Sequence, residues 1–67
     1  MIVMTVAYFE IFLDKEGKHR FRFRAPNGEI IAASEAYESK QNCKDGIEAV
    51  RMYAKYATIQ DLTLKTA

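Results

Sequence analysis

The chain has 67 residues, of which 49% are apolar and 28% charged, and its formal net charge is +1. That length fits one domain, residues 1–67, and so short a chain buries only about 60% of the surface that its unfolded form exposes. A single cysteine, Cys43, excludes an intrachain disulfide, and Cys43 with the lone His19 is too small a set for a zinc site. No cofactor is expected, and self-association is left as the support that a small core needs. A lone thiol suits the reducing cytoplasm. The near-neutral charge is far from the strongly basic balance expected of a domain built to grip phosphates. The opening Met1-Ile2-Val3-Met4-Thr5-Val6 is apolar. It lacks a basic flank and a cleavage pattern and is too short for a membrane span, so it is expected to extend the first strand.

From Tyr8 to Leu13, apolar residues recur at Phe9, Ile11 and Leu13. From Arg20 to Ala25 they recur at Phe21, Phe23 and Ala25, with Arg20, Arg22 and Arg24 between them. Alternation of period two marks half-buried strands. A three-residue loop, Lys15-Glu16-Gly17, with Gly17 left-handed, sets Ile11 opposite Phe21 and Phe9 opposite Phe23. On the other face Glu10 meets Arg22, Phe12 meets Arg20 and Tyr8 meets Arg24. A slip of one residue would scramble both faces. A second loop, Pro26-Asn27-Gly28, suits the fixed φ of Pro26 better than a two-residue Asn27-Gly28 turn. It predicts Phe23 opposite Ile31 and Phe21 opposite Ala33.

After the link Glu35-Ala36-Tyr37-Glu38, Ser39 reads as a helix N-cap. Cys43, Ile47, Val50, Ala54 and Ala57 then form an apolar stripe flanked by Gly46 and Tyr53. Lys44, Glu48, Arg51 and Lys55 lie opposite, spaced for Lys44–Glu48 and Glu48–Arg51 pairs. Gly46 costs about 1 kcal/mol relative to Ala in a helix; a close approach of the sheet or of Tyr37 would offset it. Thr58 to Leu64 is rich in β-formers and reads as a fourth strand. The order is β-β-β-α-β, an α+β fold whose helix is expected to cover Phe9, Ile11, Phe21, Phe23 and Ile31. The last strand needs an edge, in its own sheet or in a partner's.

Four segments together resemble the YegP-like family of small uncharacterised proteins. They are Arg22-Phe23-Arg24-Ala25, Asn27-Gly28-Glu29-Ile30-Ile31-Ala32, Ser34-Glu35-Ala36-Tyr37-Glu38-Ser39-Lys40 and Gly46-Ile47-Glu48-Ala49-Val50. The resemblance covers about residues 8 to 61, with Ala36 standing where the family often has Gly before the Tyr. It implies two β-β-β-α-β units, in tandem or as two subunits, that share one sheet by exchanging C-terminal strands. For a chain holding one unit it implies a homodimer. The family has no established catalytic residues, and none is transferred.

Arg20, Arg22 and Arg24, with Tyr8 and Phe12 beside them, are the candidate site. Basic residues interleaved with aromatics on a sheet are a means of binding single-stranded nucleic acid or another anion. The register supplies the simpler reading, a solvated sheet face in which Glu10 pairs with Arg22 and the aromatics stack with Arg20 and Arg24. A third reading sets this face against a second subunit. Cys43 lies on the apolar stripe and reads as a small buried hydrophobe. His19 reads as a turn residue, Tyr37 as a packed aromatic and Ser39 as a cap. No nucleophile–base set, paired carboxylates or metal cluster emerges, so the expected function is a non-enzymatic homodimeric interaction domain, with nucleic acid or anion binding as the alternative.

Overall fold

A computed structural model describes residues 6–63. Three antiparallel strands lie in the order β1-β2-β3, with β1 Tyr8–Leu13, β2 His19–Arg24 and β3 Ile30–Ala33. A helix, α1, runs from Lys40 to Tyr53 and ends in a 3-10 turn, Ala54–Tyr56.

The first hairpin has the expected register, from Tyr8 opposite Arg24 to Leu13 opposite His19. Asp14 builds its turn. The Asp14 amide donates to the Lys18 carbonyl, and its carboxylate accepts the amides of Glu16 and Lys18, each at 2.9 Å. Gly17 closes the loop at φ +78° and Gly28 closes the second at φ +91°. These left-handed positions cost a side chain about 1–2 kcal/mol.

The second hairpin begins as expected and then departs. Ala25 accepts from Gly28 and donates to Glu29, both at 2.8 Å, so the loop has three residues and Arg24 faces Ile30. Beyond that point the register shifts, placing Ala32 opposite Phe23 and Ala33 opposite Arg22. Ile31 is the extra residue of a β-bulge. Ser34 explains the shift. Its amide donates to the Phe21 carbonyl and its hydroxyl accepts the Phe21 amide, both at 2.9 Å. Ser34 therefore takes the place expected of Ala33, and Ile31 stays 59% exposed.

Ser39 caps α1, its hydroxyl accepting the Asn42 amide at 3.0 Å. The helix packs against β1 and β2 and does not reach β3. Beneath it lies Phe21, edge-on to Phe9 with centroids 5.8 Å apart and stacked on Tyr37 at 6.2 Å. Phe9 stacks in turn on Phe23 at 4.6 Å. Gly46 admits this packing, because a Cβ there would stand 2.8 Å from the Tyr37 ring carbon Cζ and 3.4 Å from Phe21. Of the predicted helix pairs, Glu48–Arg51 forms at 3.1 Å.

Three expectations are not met among the described residues of one chain. The helical stripe is covered only in its first half: Cys43 is fully buried, while Val50 and Tyr53 are exposed and Ala54 and Ala57 lie beyond α1. Residues 58–63 form no strand within this chain: Leu62 and Thr63 lie in a turn where the Asp61 carboxylate accepts the Thr63 amide at 2.9 Å, and Leu64 lies outside the described residues. At the other end β1 starts at Tyr8, with Val6 and Ala7 outside the strand, and residues 1–5 are likewise outside the described range.

Gly46→Ala tests the helix–sheet contact. Helix propensity alone favours the substitution by about 1 kcal/mol. The Tyr37 ring is held against Phe21, so overpacking should prevail and the variant should lose about 1–2 kcal/mol in urea unfolding. In a Tyr37→Leu background the same substitution should be neutral or stabilising.

Candidate functional site

Directly opposite residues of an antiparallel sheet share a face. Tyr8, Glu10 and Phe12 of β1 therefore stand with Arg20, Arg22 and Arg24 of β2 on the side away from α1. Ile30 and Ala33 of β3 complete that side. The structure thus brings all five predicted residues together, and all are half-buried.

The pairing within the face differs from expectation. Glu10 does reach Arg22, with Oε1 accepting from Nε at 3.2 Å, but the same oxygen accepts from Arg24 Nε at 2.6 Å. Arg22 lies over the Phe12 ring at 4.1 Å, where Arg20 was expected. Arg20 turns instead to Asp14, Nε to Oδ2 at 2.7 Å. Arg24 also donates to the Gly28 carbonyl at 2.6 Å.

Glu10–Arg24, Phe12–Arg22 and Asp14–Arg20 are all diagonal contacts displaced the same way, each Arg reaching two residues from its direct partner. Strand twist turns opposite side chains away from each other and brings one diagonal set closer. Asp14 and the Gly28 carbonyl are the partners that direct-opposition reasoning missed; the diagonal neighbour rule contains Asp14. The shift leaves the Tyr8 ring with no Arg over it among the described residues.

The carboxylates respond to this arrangement. The Arg24 hydrogen bond is the main influence that lowers Glu10 below its ordinary value of 4.5, with both guanidinium charges adding to it. The Arg20 hydrogen bond, then the Lys18 and Glu16 amides, lower Asp14. The hydrogen bond to Glu10 raises Arg24 above its ordinary value. The carboxylates hold the guanidiniums chiefly at Nε, so outward Nη donors are left that an oxyanion can accept.

Elsewhere, Cys43 is buried and burial pushes its thiol up, against thiolate chemistry. His19 is not a turn residue. It opens β2 and forms an isolated bridge with Tyr37, its amide donating to the Tyr37 carbonyl at 2.9 Å and its carbonyl accepting the Tyr37 amide at 2.7 Å. Its Nδ1 is buried without a partner among the described residues. Lys18 pairs with Glu38 across the same junction. Among the described residues there is no cavity and no cluster of three metal-ligating side chains, and no helix is long and apolar enough to cross a membrane.

Residues 14–61, which hold both Gly turns, the bulged β3 and the capped helix, match the family described as "Domain of unknown function (DUF1508)". The chain belongs to this family. A UPF0339 protein of Treponema denticola is 54% identical over 54 residues, covering 81% of this chain and 93% of its own. The UPF0339 protein YegP of Yersinia pestis is 42% identical over 48 residues, covering 72% of this chain but 43% of its own. A solution structure of a protein from Haloferax volcanii superimposes with a TM-score of 0.79 at 42% identity, covering 87% of this chain and 98% of that one. The family has no assigned molecular function.

Glu10→Gln removes the carboxylate that holds two guanidiniums. Because Glu10 binds its proton less readily in the folded chain, its contribution to stability is complete above about pH 5. It is lost as pH falls through 4.5 toward the lowered folded value. Urea midpoints should therefore show wild type above the Gln variant at neutral pH, with the gap closing in acid.

Proposed function

We propose that the protein is a non-enzymatic homodimeric interaction module of the reducing cytoplasm, in which each chain lends its C-terminal segment to the sheet of the other. The observation that carries this reading is the condition of that segment. It leaves the helix with extended backbone at Ala57, φ −70° and ψ 140°, and Ile59 and Leu62 are 95% and 88% exposed.

The rest of the chain supports a partner. Phe21 and Cys43 are the only buried hydrophobic residues among those described. The radius of gyration is 14.8 Å, against about 11 Å for a compact domain of this length. The longer YegP relative, of which this chain covers 43%, has length for a second unit within one chain.

The receiving edge follows from the hydrogen-bond ladder. Asp14 and Lys18 form a bonded pair. By alternation Tyr8, Glu10 and Phe12 also bond β2, which turns the backbone groups of Phe9, Ile11 and Leu13 outward. In agreement, His19 and Phe21 direct their amides and carbonyls to Tyr37 and Ser34 on the far side of β2. The six-residue β1 edge carries no bulge and no Pro, whereas β3 has four residues and a bulge. An apolar, regular edge of this kind invites an added strand. The partner's segment from Ala57 up to the turn at Leu62 would lie along it, and the uncovered Val50 and Tyr53 lie on the helix that leads to that segment.

Size exclusion with light scattering should give twice the 7.7 kDa chain mass. Leu13→Pro removes one outward amide and no ladder bond, so it should shift the protein toward monomer, as should Ile59→Asp. A monomeric wild type at high concentration would overturn the reading.

A further inference from the structure

We propose that the helix-free face of the sheet docks single-stranded nucleic acid, with Arg20, Arg22 and Arg24 on the phosphates and Tyr8 as a base platform. The assignment does not depend on the dimer, since strand exchange engages the sheet edge and leaves this face uncovered.

The first observation is how the guanidiniums are held. Glu10 takes the Nε groups of Arg22 and Arg24, Asp14 takes that of Arg20, and the Gly28 carbonyl takes Arg24 Nη1. The Nη groups of Arg20 and Arg22, and Arg24 Nη2, make no hydrogen bond to the described residues. A carboxylate at Nε fixes the plane of a guanidinium without filling its outer donors. The three side chains remain 40%, 32% and 23% exposed. The result is an oriented row with a repeat of about 6–7 Å along the strand. Its ordering entropy is already met by folding, so an incoming oxyanion loses less freedom on binding.

Charge complementarity is the second observation. Outside this face the chain carries seven basic and seven acidic residues, which balance, so its net charge of +1 resides here. The third is the ring at the end of the row. The diagonal shift that sets Arg22 over Phe12 leaves Tyr8, half-buried, with no cation over its ring among the described residues. Cationic donors beside such an aromatic suit a strand whose bases are unstacked and whose phosphates are continuous. A duplex keeps its bases paired and offers Tyr8 no ring to stack on. An acidic peptide supplies the charge but no stacking partner.

The test is fluorescence anisotropy with a short labelled oligo(dT) and oligo(U), a duplex of equal length and polyglutamate. Three phosphate contacts predict an affinity that falls about 20-fold between about 50 and 200 mM salt. Arg22→Gln with Arg24→Gln should weaken binding and flatten that salt dependence. Tyr8→Leu, which removes no side-chain hydrogen bond to the described residues, should weaken binding about fivefold or more while leaving the salt slope unchanged. Circular dichroism and melting identify a variant that has failed to fold, and Tyr8→Leu remains a test if the double Gln variant does so. No anisotropy change with either single strand overturns the proposal. So does undiminished binding by the folded Arg variant, or equal affinity for the duplex or polyglutamate.

Discussion

The structure depends on the burial of Phe21 in the middle strand. Its ring meets Phe9 on one neighbouring strand, Tyr37 on the link and the bare backbone of Gly46 on the helix. Its amide and carbonyl are both taken by Ser34. That double contact sets the β2–β3 register and produces the bulge at Ile31. The link then runs back beside His19, which places Tyr37 over Phe21 and brings Ser39 to where α1 can start. Gly46 is tolerated inside the helix because the helix must come this close.

The same strand builds the opposite face. Alternation that turns Phe21 and Phe23 toward the helix turns Arg20, Arg22 and Arg24 away from it. Twist then decides which groups they touch. A single diagonal displacement gives Glu10 two guanidiniums, gives Phe12 one, and brings Asp14 from the turn into the row. Turn and face are therefore coupled through Asp14, whose carboxylate holds the loop amides and Arg20 together.

A helix over only two strands leaves much apolar surface uncovered. Val50, Tyr53, Ile59 and Leu62 are exposed, and the β1 edge presents backbone groups with no partner among the described residues. Burial of Phe21 alone contributes about 2–3 kcal/mol, little against the entropy of ordering a chain of this size. The proposed second copy, filling the edge and covering these side chains, would answer both deficits. It would do so without using the arginine face.

The sequence by itself determined the three strands, the α+β class, both three-residue Gly-ended loops, the complete β1–β2 register, the Ser39 cap and the close approach at Gly46. These rest on local chemistry: period-two alternation, positive φ at two glycines, and a cap hydroxyl three residues before the amide it accepts. Tertiary structure decided what depends on contacts between distant segments. The bulge at Ile31 follows from Ser34 binding Phe21, which alternation cannot register. The partners of the arginines follow from twist, which a flat pairing diagram omits. The last segment has high β propensity, yet propensity does not bring a segment to an edge, and within one chain residues 58–63 form no strand.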